Sequence, residues 1–307
     1  MADGKDTRRL GFIGLGKMGH WMTRHLLRAG YVVSVYDVNP AAIEALVPYE
    51  ASPAGSPRQV AERSDVVITM VPADRHVEEA VLGPEGILAG ARPGTILVQM
   101  STIKPSTIHR LAPLAAEKGV HLIDAPVSMG QKVAEAKLSI MVGGDVKLFQ
   151  VCRPIFEAMG TDVFHVGPLG TGQACKLVNN YISMTNAVVA AEGLLLGIKA
   201  GIDPETLYRV VLTGSGSSVC WRDKVPMMIA REFEPDANFT TDLAYKDVSL
   251  AIESANELET PVMTGALARE LYNALRRAGG NLQHYCAVVT VLEQLAGIEA
   301  AYPDPAP

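Results

Sequence analysis

Leu10-Gly-Phe-Ile-Gly-Leu-Gly-Lys-Met-Gly19 is the stretch of this 307-residue chain that decides its fold. It predicts a short buried strand that runs into the pattern Gly14-x-Gly16-x-x-Gly19, with a helix following at once. Gly14 permits the sharp turn out of the strand, Gly16 lets a diphosphate approach the backbone, and Gly19 lets the helix pack closely on the strand. The N–H groups at the start of such a helix can bind an anion.

A second apolar run, Tyr31 to Tyr36, follows the helix and ends at Asp37. A carboxylate eighteen residues past Gly19 can accept hydrogen bonds from both hydroxyls of an adenosine ribose. The same charge would repel a 2′-phosphate, so NAD is favoured over NADP. The alternative is a packing turn with a solvated Asp37, but strand, glycines, helix, strand and Asp occur in the required order. We therefore assign cofactor binding to Gly14, Leu15, Gly16, Met18 and Gly19.

Composition and charge limit the class of protein. The hydrophobic content of 48% is ordinary for a globular protein, and 307 residues suffice for two domains. The net charge of −6 argues against nucleic acid or an anionic membrane as the main partner. The four cysteines are widely separated, which predicts buried reduced thiols and neither disulfides nor a metal site. The apolar runs fall short of a membrane span and no apolar leader is seen, so we expect a cytoplasmic location.

Predicted strands and helices alternate as far as about residue 170, and helices alone follow. The strand Val66 to Val71 ends at Pro72, and the strand Thr95 to Gln99 is followed by Thr102. Since open α/β sheets bind ligands at the carboxyl ends of their strands, Val71, Pro72 and Thr102 are expected to lie near the cofactor. Position alone leaves open whether Thr102 contacts the nicotinamide or belongs to a turn or helix N-cap.

The predicted fold is an α/β Rossmann-type N-terminal domain followed by an all-α C-terminal domain, the two being joined by a long helix that begins near Gln173. The predicted ranges are a disordered tail over 1–9, an NAD-binding domain over 10–170, an all-α substrate and oligomerisation domain over 171–300, and a disordered tail over 301–307.

Lys176 and Asn180 lie four residues apart on one face of this long apolar helix. A hydride-transfer site needs a group that gives or takes a proton and a group that anchors the substrate. A buried lysine beside an oxidised nicotinamide holds its proton less tightly and can act as a general acid or base, with Asn180 holding the reacting oxygen. In the alternative, the lysine reaches solvent and the asparagine makes an interhelical hydrogen bond. Spacing alone leaves both open.

Four motifs in this order resemble the β-hydroxyacid dehydrogenase family, which includes 3-hydroxyisobutyrate dehydrogenase, tartronate semialdehyde reductase and sulfolactaldehyde reductase. They are Phe12-Ile-Gly-Leu-Gly-Lys-Met-Gly19, Asp124-Ala-Pro-Val-Ser128, Gly170-Thr-Gly-Gln-Ala-Cys-Lys-Leu-Val-Asn-Asn180 and Lys246-Asp247. The resemblance covers about Leu10 to Ala296. It implies an NAD(P)-dependent interconversion of a β-hydroxy group and its aldehyde or ketone on a small anionic substrate, by a homodimer or homotetramer.

The resemblance also implies roles for individual residues. Lys176 matches the family's catalytic lysine, and Asn180 matches its substrate-binding asparagine. Ser128 and the backbone that follows it, at Met129 and Gly130, match the loop that holds the substrate's acid group. Many relatives have two glycines after the serine, so Met129 reshapes this pocket and leaves the substrate's identity open.

Further matches concern the cofactor side. Thr102 matches a nicotinamide contact and Lys246 a residue near the cofactor, with Asp247 expected to brace Lys246. His284 stands where relatives often have a carboxylate, and it either alters a contact, adds a cation or serves as a satisfied histidine at a helix N-terminus.

Two further cations, Arg222 and Lys224, are either anion partners of the substrate or surface charges. Imine reductases and non-enzymatic NAD-binding modules of the same scaffold generally lack a lysine at position 176, so Lys176 argues against both of these alternatives.

Overall fold

The computed structural model describes residues 8–128, 130–234 and 239–300. The chain divides into two compact units, Met1–Lys176 and Leu177–Pro307, whereas the predicted domain boundary lies between residues 170 and 171. The predicted C-terminal tail, residues 1–7 of the predicted N-terminal tail, and Met129 lie outside the described residues. The first strand begins at Arg9, one residue earlier than predicted.

The first unit is built on one sheet, which has nine strands within the described residues. The strands are β1 (Arg9–Ile13), β2 (Val32–Tyr36), β3 (Ser52–Pro53), β4 (Val66–Thr69), β5 (Ile96–Gln99), β6 (His121–Asp124), β7 (Val127–Ser128), β8 (Leu138–Gly143) and β9 (Gly160–Gly167). The order β3-β2-β1-β4-β5-β6 is parallel throughout, and β8 runs antiparallel to β6 and β7 and parallel to β9.

The direction of chain progression reverses between β1 and β4, which lie side by side with Phe12 opposite Ile68. Such a switch point opens a crevice at the carboxyl ends of the two strands, where ligands of α/β sheets bind. Gly14 follows β1 directly, and Val71 is the second residue beyond β4. The sheet therefore brings the glycine turn and the end of β4 to the same edge.

Seven α-helices that precede the long helix beginning at Thr171 accompany the sheet in the described part of the first unit. They are α1 (Lys17–Arg28), α2 (Pro40–Glu44), α3 (Pro57–Glu62), α4 (Asp74–Leu82), α5 (Ile87–Gly90), α6 (Pro105–Glu117) and α7 (Val146–Glu157). Successive side chains of β1 enter different cores, since Phe12 packs with Met22 and Leu26 of α1 while Ile13 packs with Val60 of α3. The sheet is thus covered on both faces, as its apolar strands predict.

The second unit is helical. Its helices are the remainder of α8 (Thr171–Lys199), then α9 (Pro204–Leu212), α10 (Val219–Ala230), α11 (Thr241–Glu257), α12 (Met263–Leu275), a 3₁₀ helix (Tyr285–Val288) and α13 (Val289–Ala296). Leu194, Trp221, Val248 and Tyr272 meet in its core. The predicted order of an α/β domain followed by an all-α domain is confirmed.

Among the described residues, α8 alone is long and apolar enough to cross a membrane by length and composition. The expectation that no apolar run reaches that length is therefore wrong for this helix. Its residues Met184, Ala187 and Leu194 are buried in the core of the helical unit. A helix in the core of a protein can be as long and apolar as a membrane span, so packing in the helical unit explains the apolar composition of α8.

Candidate active site

The chain leaves β1 through Gly14, whose φ of +93° favours glycine. Its N–H donates to the carbonyl of Tyr36 at 3.0 Å, which ties the turn to β2. A Cβ on Gly14 would lie 2.3 Å from the carbonyl oxygen of Met70, and one on Gly19 would lie 1.9 Å from that of Gly14. By contrast, no atom lies within 4 Å of the Cβ that Gly16 would carry.

The N-terminus of α1 fits the diphosphate of a dinucleotide. Its cap residue is Gly16, which has no side chain to occupy the first N–H groups of the helix. The open space beside Gly16 lets a ligand reach these donors, and the helix dipole favours a negative charge there. The residues at this turn therefore fit NAD(P).

Asp37, one residue beyond β2, is fixed beside the same turn. Its Oδ2 accepts a hydrogen bond from the N–H of Leu15 at 2.6 Å, and its Oδ1 accepts one from the N–H of Asn39 at 2.8 Å. Each carboxylate oxygen keeps a further acceptor site for another donor. The sequence predicts a ribose contact for Asp37, but it gives no sign that the carboxylate also holds the backbone of the glycine turn.

The ends of β4 and β5 are joined by a hydrogen bond from the N–H of Val71 to Oγ of Ser101, at 2.7 Å. The side chain of Gln173, in the first turn of α8, forms hydrogen bonds to the backbone on both sides of Thr102. Its Nε2 donates to the carbonyl of Ser101 at 2.8 Å, and its Oε1 accepts from the N–H of Ile103 at 3.1 Å. Thr102 is thus held between two tethered neighbours.

Helix α6 begins at Pro105 with Lys104 as its N-cap. Thr102 is therefore not the cap of this helix, so the N-cap interpretation is wrong, while the turn interpretation stays open. The nicotinamide contact of Thr102 stays a prediction.

Asp124 ends β6 and is completely buried. Its Oδ1 accepts from the N–H of Gly170 and its Oδ2 from the N–H of Gln173, both at 2.7 Å, so the carboxylate satisfies donors at the start of α8. A Cβ on Gly143 or Gly172 would lie 2.6 or 2.7 Å from these oxygens. Burial raises the pKa of Asp124 to about 6, against the lowering effect of the two N–H donors.

Asp124→Asn should lower the free energy of unfolding by about 1–3 kcal/mol, because an amide offers one acceptor oxygen to two buried N–H groups. The folded-state pKa of about 6 lies above the ordinary value of 3.8, so the folded wild type binds this proton more tightly than the unfolded chain. The stability advantage of the wild type over the variant should therefore fall as pH rises from about 4 to about 6. Urea unfolding of both proteins across this range measures it, and a difference that grows with pH contradicts the assignment.

Lys176 lies in the second turn of α8, close to the residues that Asp124 and Gln173 fix in place. Lys176 is 7% exposed and Asn180 is 4% exposed, so neither is a surface residue. Polar side chains are seldom buried this deeply unless they are paired or functional.

In the helical unit, Asn180 forms a hydrogen-bonded set with Asp247 and Lys246. The sequence predicts the contact between Asp247 and Lys246 but not the one between Asp247 and Asn180. Nδ2 of Asn180 donates to Oδ2 of Asp247 on α11 at 2.5 Å, and Nζ of Lys246 lies 3.0 Å from Oδ1 of the same carboxylate. Asp247 thus braces Lys246, as expected, and also orients the Asn180 amide. The interhelical hydrogen bond of the alternative interpretation is present, and it leaves the second N–H of the amide for another acceptor. One feature of the sequence could have indicated this role for Asp247: its carboxylate lies between the apolar residues Ala244 and Val248, which are both buried in the core.

The loop matched to substrate-acid binding lies at the edge of the sheet. Ser128 ends β7 opposite Ser139 of β8, and Gly130 opens a 3₁₀ helix, Gly130–Glu135. Met129, between them, lies outside the described residues, so its effect on the pocket stays a prediction.

His284 caps the 3₁₀ helix Tyr285–Val288, with its Nδ1 accepting from the N–H of Cys286 at 3.2 Å. Burial lowers the pKa of His284 to about 4, so it is neutral at pH 7. His284 therefore does stand at a helix N-terminus and is not an added cation, but it is not fully satisfied, because its buried Nε2 has no hydrogen-bond partner among the described residues.

Two expectations about exposure need correction. Lys224 is not a surface charge, because it is only 7% exposed, whereas Arg222 is exposed and bonds to Asp223 at 2.7 Å. Cys175 is exposed, although Cys152 and the other two cysteines are buried as expected, and none of these four described cysteines forms a disulfide.

Comparison with known proteins connects this geometry to a family. Residues 9–167 match the model described as the NAD binding domain of 6-phosphogluconate dehydrogenase. Residues 170–292 match the one described as NAD-binding of NADP-dependent 3-hydroxyisobutyrate dehydrogenase. The chain belongs to the β-hydroxyacid dehydrogenase family.

Individual members of the β-hydroxyacid dehydrogenase family are similar over nearly the whole length. The chain is 37% identical to 2-(hydroxymethyl)glutarate dehydrogenase of Eubacterium barkeri, over 95% of this chain and 97% of the relative. It is 38% identical to 2-hydroxy-3-oxopropionate reductase of Escherichia coli, over 95% of this chain and all of the relative. A structure of Mycobacterium tuberculosis 3-hydroxyisobutyrate dehydrogenase with L-serine matches with a TM-score of 0.86 and 30% identity, covering 93% of this chain and 99% of that one.

These relatives and the fold make this member of the family an oxidoreductase that acts on the CH–OH group of hydroxy acids with NAD(P). The predicted family and enzyme class are confirmed.

Proposed function

We propose that this enzyme interconverts a small β-hydroxy acid and its semialdehyde, as 3-hydroxyisobutyrate dehydrogenases do, with NAD as the cofactor and Lys176 as the general acid and base. The observation that carries the proposal is the buried Lys176, one turn beyond the part of α8 held by Asp124 and Gln173. A proton-transfer group must keep its position through the reaction, and this anchoring supplies a rigid base for it.

The bound NAD supplies the hydride acceptor for oxidation. Lys176 accepts the hydroxyl proton as the carbinol C–H bond breaks, which leaves a carbonyl and a protonated amine. In reduction Lys176 gives this proton back to the carbonyl oxygen. Asn180 donates its second amide N–H to the reacting oxygen, while Asp247 holds the first. Ser128 and the backbone at Gly130 bind the acid group.

The test is a panel of small hydroxy acids and semialdehydes with NAD and NADP, followed by the absorbance of the reduced nicotinamide. We expect turnover of at least one β-hydroxy acid and a higher kcat/KM for it than for its α-hydroxy isomer. A chain that turns over none of the panel would overturn the proposal. A reductase of tartronate semialdehyde is the second candidate, because the similar E. coli enzyme is named for that reaction, and 3-sulfolactaldehyde is tested in the same panel.

The preference for NAD is assigned to Asp37. Asp37→Asn should weaken NAD binding by roughly 10-fold and bring the dissociation constants of NAD and NADP closer together, because the amide keeps an acceptor oxygen but loses the charge that repels a 2′-phosphate. Titration calorimetry with both cofactors measures this. Glu44→Gln, the same change at an exposed residue of α2, is the control. An unchanged ratio of the two constants in Asp37→Asn would count against the assignment.

A homodimer or homotetramer is also part of the proposal. Val178, Ile182, Val189 and Leu196 of α8 are each more than half exposed and lie on one face at spacings of four, seven and seven residues. Exposed apolar side chains aligned in this way, with Thr185 and Glu192 between them, are often covered, and a second copy of the chain would cover them. The lack of a disulfide among the four cysteines, all of which lie in the described part of the chain, supports a cytoplasmic location. The particle mass in solution tests the oligomeric state.

A further inference from the structure

Lys224 is a buried ammonium group of α10 without an acceptor oxygen among the described residues. The Nζ atom lies 4.0 Å from Sδ of Met227 and 5.7 Å from the centroid of the Tyr285 ring. The neighbouring Asp223 bonds to Arg222 instead. A buried charge without a counter-ion is unfavourable, so the position of Lys224 calls for an anion.

His284 supplies a second unsatisfied donor in the same region. Its Nδ1 accepts from the N–H of Cys286 at 3.2 Å and lies 2.9 Å from the Cys286 sulfur. Because Nδ1 is an acceptor and the ring is neutral at pH 7, the ring proton lies on Nε2. The Nε2 atom is buried and has no hydrogen-bond partner in the described structure, although the residue is only 3% exposed.

Three titratable groups near these two donors are uncharged, while the carboxylates of Asp223 and Glu232 act through space on Cys220 and Cys286 respectively. Burial raises the pKa of the Cys286 thiol to about 12 and that of the Cys220 thiol above its usual range. Burial likewise raises the pKa of the Tyr285 hydroxyl. The three groups therefore remain neutral at pH 7, and Asp223 bonds to Arg222 and not to Lys224.

The cluster lies beside the two helices that carry Asn180 and Asp247. Ser183 follows Asn180 by three residues on α8, and its carbonyl accepts a hydrogen bond from Cys220 of α10 at 3.1 Å. His284 pairs with Thr240, which caps α11, the helix of Asp247. The elements that carry Lys224 and His284 are thus tied to α8 three residues after Asn180 and to α11 seven residues before Asp247.

We propose that Lys224 and His284 bind a second carboxylate of the substrate, so that the enzyme prefers β-hydroxy acids with two acid groups. This inference rests on the proposed function, which it narrows. The ammonium group supplies charge, the imidazole N–H supplies a directed hydrogen bond, and the Tyr285 ring offers an apolar surface for the carbon chain between the two acids.

Two substrates with the same reacting end test the proposal: 3-hydroxyisobutyrate and 2-(hydroxymethyl)succinate, which carries the additional carboxylate. The wild type should have a kcat/KM at least about 10-fold higher for the dicarboxylate. Lys224→Met, which keeps the length of the side chain, should lower kcat/KM for the dicarboxylate by roughly 100-fold, mainly through KM, and change the monocarboxylate by less than about 3-fold. Arg222→Met, on the same helix, is the control and should alter neither.

His284→Asn isolates the second donor, since asparagine can still cap the 3₁₀ helix but lacks the distal N–H. It should lower kcat/KM for the dicarboxylate by roughly 10-fold. Lys224→Gln, which keeps a donor without the charge, should fall between the wild type and Lys224→Met. This variant preserves the test if Lys224→Met does not fold.

Calorimetric binding of methylsuccinate, which has no hydroxyl to oxidise, separates this inference from the proposed function. If no hydroxy acid is turned over but Lys224→Met still abolishes methylsuccinate binding, the carboxylate site stands and the proposed reaction fails. If β-hydroxy acids are turned over but the wild type does not favour the dicarboxylate, or Lys224→Met affects both substrates equally, the carboxylate site is refuted and the reaction stands.

Discussion

Lys176→Met should lower kcat by about 10²–10⁴-fold while the dissociation constant of NAD stays within a factor of about three, because the variant lacks the proton-transfer group but keeps the apolar stem. Steady-state kinetics with the best substrate of the panel gives the first quantity, and titration calorimetry gives the second. Cys175→Ser is the matched control, since it alters the preceding residue of α8 at an exposed position. The control should retain the wild-type kcat.

A loss of NAD affinity in Lys176→Met that matches the loss of kcat would assign Lys176 to cofactor binding instead of proton transfer. A kcat equal to that of the wild type would remove Lys176 from the mechanism altogether.

Gly19→Ala should destabilise the first unit by about 3 kcal/mol and weaken NAD binding by at least about 10-fold, because the new Cβ would displace the turn that receives the diphosphate. The Cβ would lie 1.9 Å from the carbonyl oxygen of Gly14, which is backbone and cannot rotate away. Urea unfolding and NAD titration measure the two effects.

Gly16→Ala is the informative companion to Gly19→Ala. Its Cβ would meet no atom within 4 Å, so the variant should unfold at the same urea concentration as the wild type. Its NAD affinity should still fall by about 10-fold, because the methyl group occupies space that the diphosphate needs. If Gly16→Ala binds NAD as tightly as the wild type, the diphosphate does not approach the backbone there.

The fold was predictable where glycine positions and apolar periodicity gave clear local patterns. The turn from Gly14 to Gly19, the apolar strands and the long helix after Gly170 all follow from periodicity and glycine placement. Helix α10 has no clear sequence signal, because Val219–Ala230 contains Pro226 and shows almost no segregation of apolar and polar faces. Helix α3 likewise has none, because Pro57–Glu62 is too short to display a period.

The residues that support the site were less predictable than the residues assigned to chemistry. Asp124 bonds to backbone groups 46 and 49 residues away, and Asp247 bonds to Asn180 across 67 residues. No local pattern encodes such partners, since they depend on which strand and helix ends meet. The burial of Lys224 was missed for a similar reason, because a lysine is exposed in most settings and only packing reveals the exception.

The account depends most on the role of Lys176 in the chemical step, and a single turnover followed by stopped-flow absorbance tests this directly. The wild type and Lys176→Met are mixed with saturating NAD and hydroxy acid, so that product release does not limit the observed rate. We predict that Lys176→Met forms reduced nicotinamide at least about 100-fold more slowly than the wild type. Formation at the wild-type rate would contradict the account.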